Sequence, residues 1–258
     1  MPIEIVGDTA PIHLVGESHV LSYAGLLARD VDSGRIFAPN LKCLIDLKAA
    51  RYSDPQTGRL HQSLMDALQE MSLAGKADAG GLAPQAPKDT FLALFAGDID
   101  IHGDLFTQMD QDYDVDLPGP SPYPPSAAGR SIIPFALLEM RLKEIFAPFF
   151  AAIRTFRSIG INRIILHALP PRSPDDERAR RWCDGRLVSA VLRAKITWAA
   201  NALIADFAAA EEFCFVSSWD ALAPEGYLLP CYDLDGVHVT REAAAISYLR
   251  IVDAAIRT

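Results

Sequence analysis

Ile12-His-Leu-Val-Gly-Glu-Ser-His19 is a short apolar run that stops at a glycine and delivers a serine. An uninterrupted apolar stretch of this kind suits a strand buried on both faces, as in a parallel sheet. Four further runs share the form. Lys42-Cys-Leu-Ile45 ends at Asp46, Phe91-Leu-Ala-Leu-Phe95 at Ala96-Gly97, Arg163-Ile-Ile-Leu166 at His167, and Phe213-Cys-Phe-Val216 at Ser217-Ser218. The spacing between them predicts helices. Leu60 to Met71 repeats apolar residues every three or four positions, and Val188, Leu192, Ile196, Ala199, Leu203 and Phe207 draw one stripe along a long helix. A C-terminal helix follows Thr240, a suitable N-cap. Pro134 to Ile159 is helical in pattern, with Pro148 expected to kink or divide it and Gly160 suited to close it. Five strands separated by helices imply βαβ crossovers and an α/β three-layer sandwich around a parallel sheet. Chemistry in such sheets collects at the carboxyl ends of the strands, so the residues after Val15, Ile45, Phe95, Leu166 and Val216 are the places to look.

Half of the 258 residues are apolar, enough for one sizeable core, and no repeat or shift in composition divides the chain. A single domain over residues 1–258 is expected. The net charge of −9 argues against a nucleic-acid partner, since phosphate backbones are bound by clustered Lys and Arg. The densest basic run, Arg178 to Arg186, follows Asp175, Asp176 and Glu177 and reads as the solvated start of a helix rather than as a phosphate site. Met1 to Asp8 has no basic leader region, and the longest apolar run, Ile145 to Ile153, is too short to cross a membrane. Cys43, Cys183, Cys214 and Cys231 lie far apart and read as reduced thiols, not as a zinc site or a disulfide framework. A cytoplasmic protein without a membrane partner is the expectation.

Residues 110–134 break the alternation. The stretch is acidic and then carries Pro118, Pro120, Pro122, Pro124 and Pro125, which suggests a long insertion without regular structure, either a lid or a plain surface loop.

Three pieces could carry chemistry. Ser18 stands at a strand-to-helix turn, exposed near the amide donors of a helix start, where it could act as a nucleophile or simply cap the helix. Asp235-Gly-Val-His238 precedes the last helix. A hydroxyl needs a positioned base, histidine is the usual one, and a nearby carboxylate holds the ring in the required tautomer. The same four residues could equally be a capped turn. The third piece is Gly97-Asp-Ile-Asp-Ile-His102, where Gly97 lets the backbone approach a ligand closely. Asp98, Asp100, His102 and Asp104 imitate the opening of a calcium loop, but position twelve is Met109 where a bidentate Glu is needed. Asp110, Asp112, Asp114 and Asp116 alternate similarly without the required glycine. No metal is assigned, and the acidic run reads as solvated loop. G-x-G-x-x-G, Walker A, G-x-S-x-G and H-E-x-x-H motifs are all missing from the sequence.

Together the three pieces resemble the SGNH, or GDSL, hydrolase superfamily. Gly16-Glu17-Ser18 follows the first strand, Gly97-Asp98-Ile99-Asp100 the third, and Asp235-x-x-His238 precedes the last helix. His167-Ala-Leu-Pro170-Pro171, Arg193, Asn201 and the run from Phe213 to Asp220 resemble intermediate landmarks. The resemblance implies a five-stranded, flavodoxin-like parallel sheet of order 2-1-3-4-5. It implies ester hydrolysis through a serine acyl-enzyme, with Ser18 as nucleophile, His238 as base, Asp235 as its orienting carboxylate and the Ser18 amide as one oxyanion donor. No cofactor is implied.

Two departures stand out. Glu17 replaces the usual Asp before the serine, and Ile99 replaces the Asn whose side chain donates to the oxyanion. The third block is closer to a bacterial branch with G-E-I-D-C-R at this place, often found beside polysaccharide-handling genes. In that case the Gly97 amide or the His102 ring would stand in as oxyanion and substrate-binding groups. The expected activity is removal of a small acyl group from a small-molecule or glycan ester. Transfer of the acyl group to a sugar hydroxyl is one alternative. A non-catalytic module that binds a carbohydrate or a protein is the other.

Overall fold

The computed structural model describes residues 9–44, 47–76, 82–84, 90–109 and 112–257. Met1 to Asp8, Ile45, Asp46 and Asp110, all invoked above, lie outside the described residues. Ten strands are found among the latter: β1 Thr9–Gly16, β2 Ala28–Arg29, β3 Ile36–Cys43, β4 Ala74–Lys76, β5 Leu82–Pro84, β6 Phe91–Phe95, β7 Tyr113–Val115, β8 Ser131–Ile133, β9 Arg163–His167 and β10 Cys214–Val216. The helices are α1 Gln62–Glu70, α2 Asp98–Asp100, α3 Phe135–Ser158, α4 Asp176–Arg180, α5 Ala190–Ala210, α6 Trp219–Leu222 and α7 Arg241–Arg257.

One six-stranded sheet, in the order β10-β9-β6-β1-β3-β2, forms the centre. Neighbours from β10 to β3 run parallel, and β2 pairs antiparallel with β3. The sheet is therefore mixed and six-stranded, not purely parallel and five-stranded. The extra edge strand is two residues long, too short to leave a periodic signal. The second strand lies earlier than expected, at 36–43, because Pro39 interrupts its apolar pattern. β2 reaches only to the partner of Phe37, so beyond it one side of β3 is uncovered, where a missing backbone donor is tolerated.

Side chains alternate between two cores. Leu92, Leu94, Ile164 and Leu166 face α1, α3 and α5, while Phe91, Ala93, Phe95 and Ile165 face α7 and the 3₁₀ turn Ser18–Tyr23. Helices thus cover both faces, and continuous apolar strands follow from that double burial. α3 runs unbroken through Pro148, contrary to the expected division. The ring removes one backbone donor, but Phe146, Phe149 and Ile153 are buried around it and hold the helix in the core. No helix among the described residues is long and apolar enough to cross a membrane.

The proline-rich excursion is neither fully irregular nor loose. β7 and β8 pair in parallel across it. Asp114, which the sequence left in solvent, is buried and paired with buried Lys195 of α5 at 2.9 Å. Tyr123 is buried against Trp198 and Tyr227, and its hydroxyl donates to the Gly226 carbonyl at 2.6 Å. Tyr123→Ala should therefore lower stability by about 3 kcal/mol, the cost of deleting a buried aromatic side chain. Limited proteolysis should then cut first between residues 116 and 131. An unchanged melting temperature and cleavage pattern would show the anchor to be unimportant.

Candidate active site

β1, β6, β9 and β10 end along one edge, with Gly16 paired to Phe95, Leu94 to Leu166 and His167 to Val216. The turn after Gly16 leads into the 3₁₀ stretch that starts at Ser18. Ser18 is the first residue of this turn, so its amide has no partner within the turn itself.

From the other end of the chain, the loop before α7 reaches the same place. Ser18 Oγ lies 2.8 Å from His238 Nε2, and His238 Nδ1 lies 2.9 Å from Asp235 Oδ2. The structure thus brings Ser18, His238 and Asp235 into one hydrogen-bonded chain. Asp235 Oδ1 also accepts from the amides of Val237 at 3.1 Å and His238 at 2.8 Å. Partial burial pushes the Asp235 carboxyl up, but these bonds and the His238 ring hold it below the usual carboxylate range. An ionised Asp235 fixes the proton on Nδ1, which leaves Nε2 as the acceptor facing the serine.

Gly236 permits this turn. Its φ is +96°, and a Cβ there would fall 2.8 Å from the Arg178 backbone.

The third block behaves differently from its reading in the sequence. Asp98 and Asp100 are not solvated: both are buried at the start of a helical stretch that includes a π-helical turn over Ile101–Leu105. Asp98 meets the buried guanidinium of Arg172 at 2.5 Å. Burial pushes its carboxyl up, but Arg172, helped by His19 and His102, holds it well below the ordinary range. Asp100 accepts from the amides of Ala49 at 2.7 Å and Ala50 at 3.0 Å and so anchors the loop that follows β3.

The Gly97 amide, expected to face a ligand, donates instead to Glu17 Oε1 at 2.7 Å, and the Ile99 amide donates to Oε2 at 2.9 Å. Gly97 is required by its φ of +106° and by Phe146, whose ring lies 2.4 Å from where a Cβ would sit. The His102 ring is buried on the Asp98 carbonyl, 3.2 Å away, and against Phe106. No hydrogen bond among the described residues joins Gly97 or His102 to Ser18, His238 or Asp235.

Glu17, His19 and Asp98 each bring one possible ligand atom within 4.8 Å of the others. This group does not fit a metal well. Both Glu17 oxygens accept amides, and the Arg172 cation already faces Asp98.

Several residues of the site left no signal in the sequence. The basic run does not simply meet solvent: Arg178, Arg181 and Trp182 reach across to residues 233–235. His167 is stacked on Phe95 with both ring nitrogens unpartnered. It lines two small cavities of about 20 Å³ each, shared with His19. That volume suits a water rather than a substrate group. The four cysteines are free.

No family model and no curated protein matches the chain. Among solved structures, a Streptococcus pneumonia protein provisionally named a platelet activating factor aligns over 98% of this chain and 86% of its own. The two are 15% identical, with a TM-score of 0.50. A GDSL-like lipase from Bacteroides thetaiotaomicron is 14% identical over 96% of this chain and 88% of its own, at a TM-score of 0.47. An extracellular lipase from Streptomyces rimosus is 13% identical over 95% and 99%, at 0.48. At these identities the likeness is one of fold alone.

The buried imidazoles make stability depend on pH. Burial pushes His102 down to about 3 and His167 down to about 4. Both titrate near 6.5 in the unfolded chain. Below pH 6.5 the unfolded state binds more protons, so stability from these groups is full at neutral pH and falls as the pH drops toward 4. Glu17, raised by its own burial and by Asp98 and Asp100, works in the opposite sense. A paired comparison isolates one group. Between pH 6.5 and 5 the wild type should lose about 2 kcal/mol more than His167→Leu, measured by urea unfolding. Parallel losses in the two proteins would mean that His167 is not held neutral.

Proposed function

We propose that this chain is a serine-type hydrolase that removes a small acyl group from an ester. The observation that carries the reading is the Ser18–His238–Asp235 chain, with successive separations of 2.8 and 2.9 Å. Ser18 Oγ attacks the ester carbonyl carbon as its proton passes to His238 Nε2. The tetrahedral intermediate collapses, the carbon–oxygen bond to the alcohol breaks, and the leaving oxygen takes the proton from His238. Water then attacks the acyl-enzyme and gives its proton to the same nitrogen. Return of that proton to Ser18 Oγ frees the carboxylic acid. Asp235 keeps the ring oriented and stabilises the imidazolium formed in each half.

An acetylated sugar is the first substrate class to try, because the third block resembles the branch found beside polysaccharide-handling genes. With a sugar hydroxyl in place of water, the same steps would transfer the acyl group. A binding module is the rival reading, favoured by Ile99 and by the engagement of the Gly97 and Ile99 amides with Glu17.

Intact mass after incubation with a small fluorophosphonate separates the two. One adduct is expected on the wild type and none on Ser18→Ala or His238→Ala. No adduct on any folded protein would favour the binding module. Ile99 is only partly buried and stands where the resemblance places a donor. Ile99→Asn should raise kcat on p-nitrophenyl acetate by about tenfold or more, since one oxyanion donor is worth about 10²–10³ in a known hydrolase. A kcat no higher than that of the wild type would mean that the side chain at 99 does not face the oxyanion.

A further inference from the structure

The loop from Asp233 to His238 carries both the acid and the base of the chain, and an arm that follows β9 grips it from outside. Arg178 Nη2 donates to the Leu234 carbonyl at 2.6 Å. Arg181 Nη2 and Trp182 Nε1 both donate to the Asp235 carbonyl, at 2.7 and 3.2 Å. Asp233 accepts from Ser173 Oγ at 2.6 Å and from the Gly236 amide at 2.6 Å. The Trp182 ring stands nearly perpendicular to the His238 imidazole, with centroids 5.2 Å apart.

These contacts differ in consequence. The loop closes its own turn through the Leu234 amide on the His238 carbonyl and the Thr240 amide on the Tyr232 carbonyl. Those bonds shape the loop but do not seat it against Ser18, which lies on a different element. The turn that bears Ser18 seats the loop through His19 Nε2, 3.2 Å from the Val237 carbonyl, and Ser22 Oγ on the Val239 carbonyl at 3.4 Å. The arm adds a second attachment, since its two donors on the Asp235 carbonyl hold the residue that orients the imidazole and the indole packs against the ring. The His19 ring also lies beside it, with centroids 5.0 Å apart. Trp182 is 38% exposed and stands outside the buried core.

We propose that Trp182, supported by Arg181, is a positioning residue that keeps the His238 ring aligned on Ser18 Oγ through the Asp235 carbonyl and through its contact with the ring. The proposal rests on the reading of Ser18, His238 and Asp235 as the reactive chain. Small displacements of a catalytic group cost large factors in rate, so the effect belongs in kcat. The groups facing His238 are Asp235 on its own loop, His19 and Ser18 on the 3₁₀ turn, and Arg181 with Trp182 on the arm. Removing the indole alters this set without removing a charge.

The test compares wild type, Trp182→Phe and Trp182→Ala by p-nitrophenyl acetate kinetics from pH 5 to 9 and by proton NMR of the His238 Nδ1–H. Trp182→Ala should lower kcat about tenfold, leave KM within about twofold, and shift the acid-limb midpoint of kcat/KM. The downfield Nδ1–H resonance should weaken or vanish. Trp182→Phe keeps an aromatic ring but loses the N–H and part of the indole's area, and it should fall between the other two. It also carries the test if Trp182→Ala does not fold. A raised KM at unchanged kcat would overturn the proposal in favour of a substrate contact, and an unchanged kcat, midpoint and resonance would overturn it outright. A wild type that shows the resonance but no turnover, with the resonance lost in the variant, would fail the hydrolase reading and leave the positioning role standing.

Discussion

The buried carboxylate of Glu17 joins the turn after β1 to the turn after β6. Its two oxygens take the Gly97 and Ile99 amides, while its own amide donates to the Phe95 carbonyl at 3.2 Å. Two more carboxylates continue the connection. Asp98, between those amides, holds Arg172 from the segment after β9, and Asp100 holds the amides of Ala49 and Ala50 after β3. Three buried acids thus fix four strand ends around Ser18. Burying a carboxylate costs several kcal/mol unless every oxygen finds a donor or a cation. Here both oxygens of Glu17 and of Asp100 accept amides and Asp98 faces the Arg172 cation, so truncating any one of them would strand a buried donor or cation as well as leave a void. The same arrangement explains why burial and mutual repulsion push Glu17 upward, whereas Arg172 reverses that pressure at Asp98.

The arm after β9 completes this frame at the far side. Arg172 roots it, with Nε donating to Thr197 Oγ1 of α5 at 2.7 Å. Ser173, Arg178, Arg181 and Trp182 then engage the loop that bears Asp235 and His238. One chain segment therefore links the acid hub beneath Ser18 to the loop that brings the base. It acts beside the direct bonds from the turn that bears Ser18, where His19 Nε2 lies 3.2 Å from the Val237 carbonyl and Ser22 Oγ donates to the Val239 carbonyl at 3.4 Å.

What could be read from sequence follows the range of the interactions. The alternation of apolar runs and helical stripes is local, and it gave the α/β architecture with helices on both faces. Asp235 and His238 are three residues apart, so their pairing needs only a turn. Glu17, by contrast, meets Gly97 across 80 residues, and Trp182 meets Asp235 across 53. Nothing in either sequence neighbourhood signals such a partner. Asp98, Asp100 and Asp114 looked solvated because acidic runs usually are, and only their distant cations and amides make burial tolerable. β2 was too short to register, and Pro39 disguised the length of β3.

The hub also sets the electrostatics available to a reacting ester. An amide already bonded to a buried carboxyl oxygen is committed to that acceptor, and it cannot also cradle a developing anion at the same strength. Gly97 and Ile99, the residues closest in sequence to the expected donor, have their amides so engaged, and the Ile99 side chain offers none. Rigidity of the strand ends and a well-supplied oxyanion hole therefore compete for the same backbone groups. The Ser18 amide stands apart from this competition, since it lies at the head of its own turn and belongs to the proposed nucleophile. On the proposed reading, a site built this way relies more on alignment of its base than on stabilisation of charge, and the arm that engages Asp235 and packs on His238 contributes to that alignment.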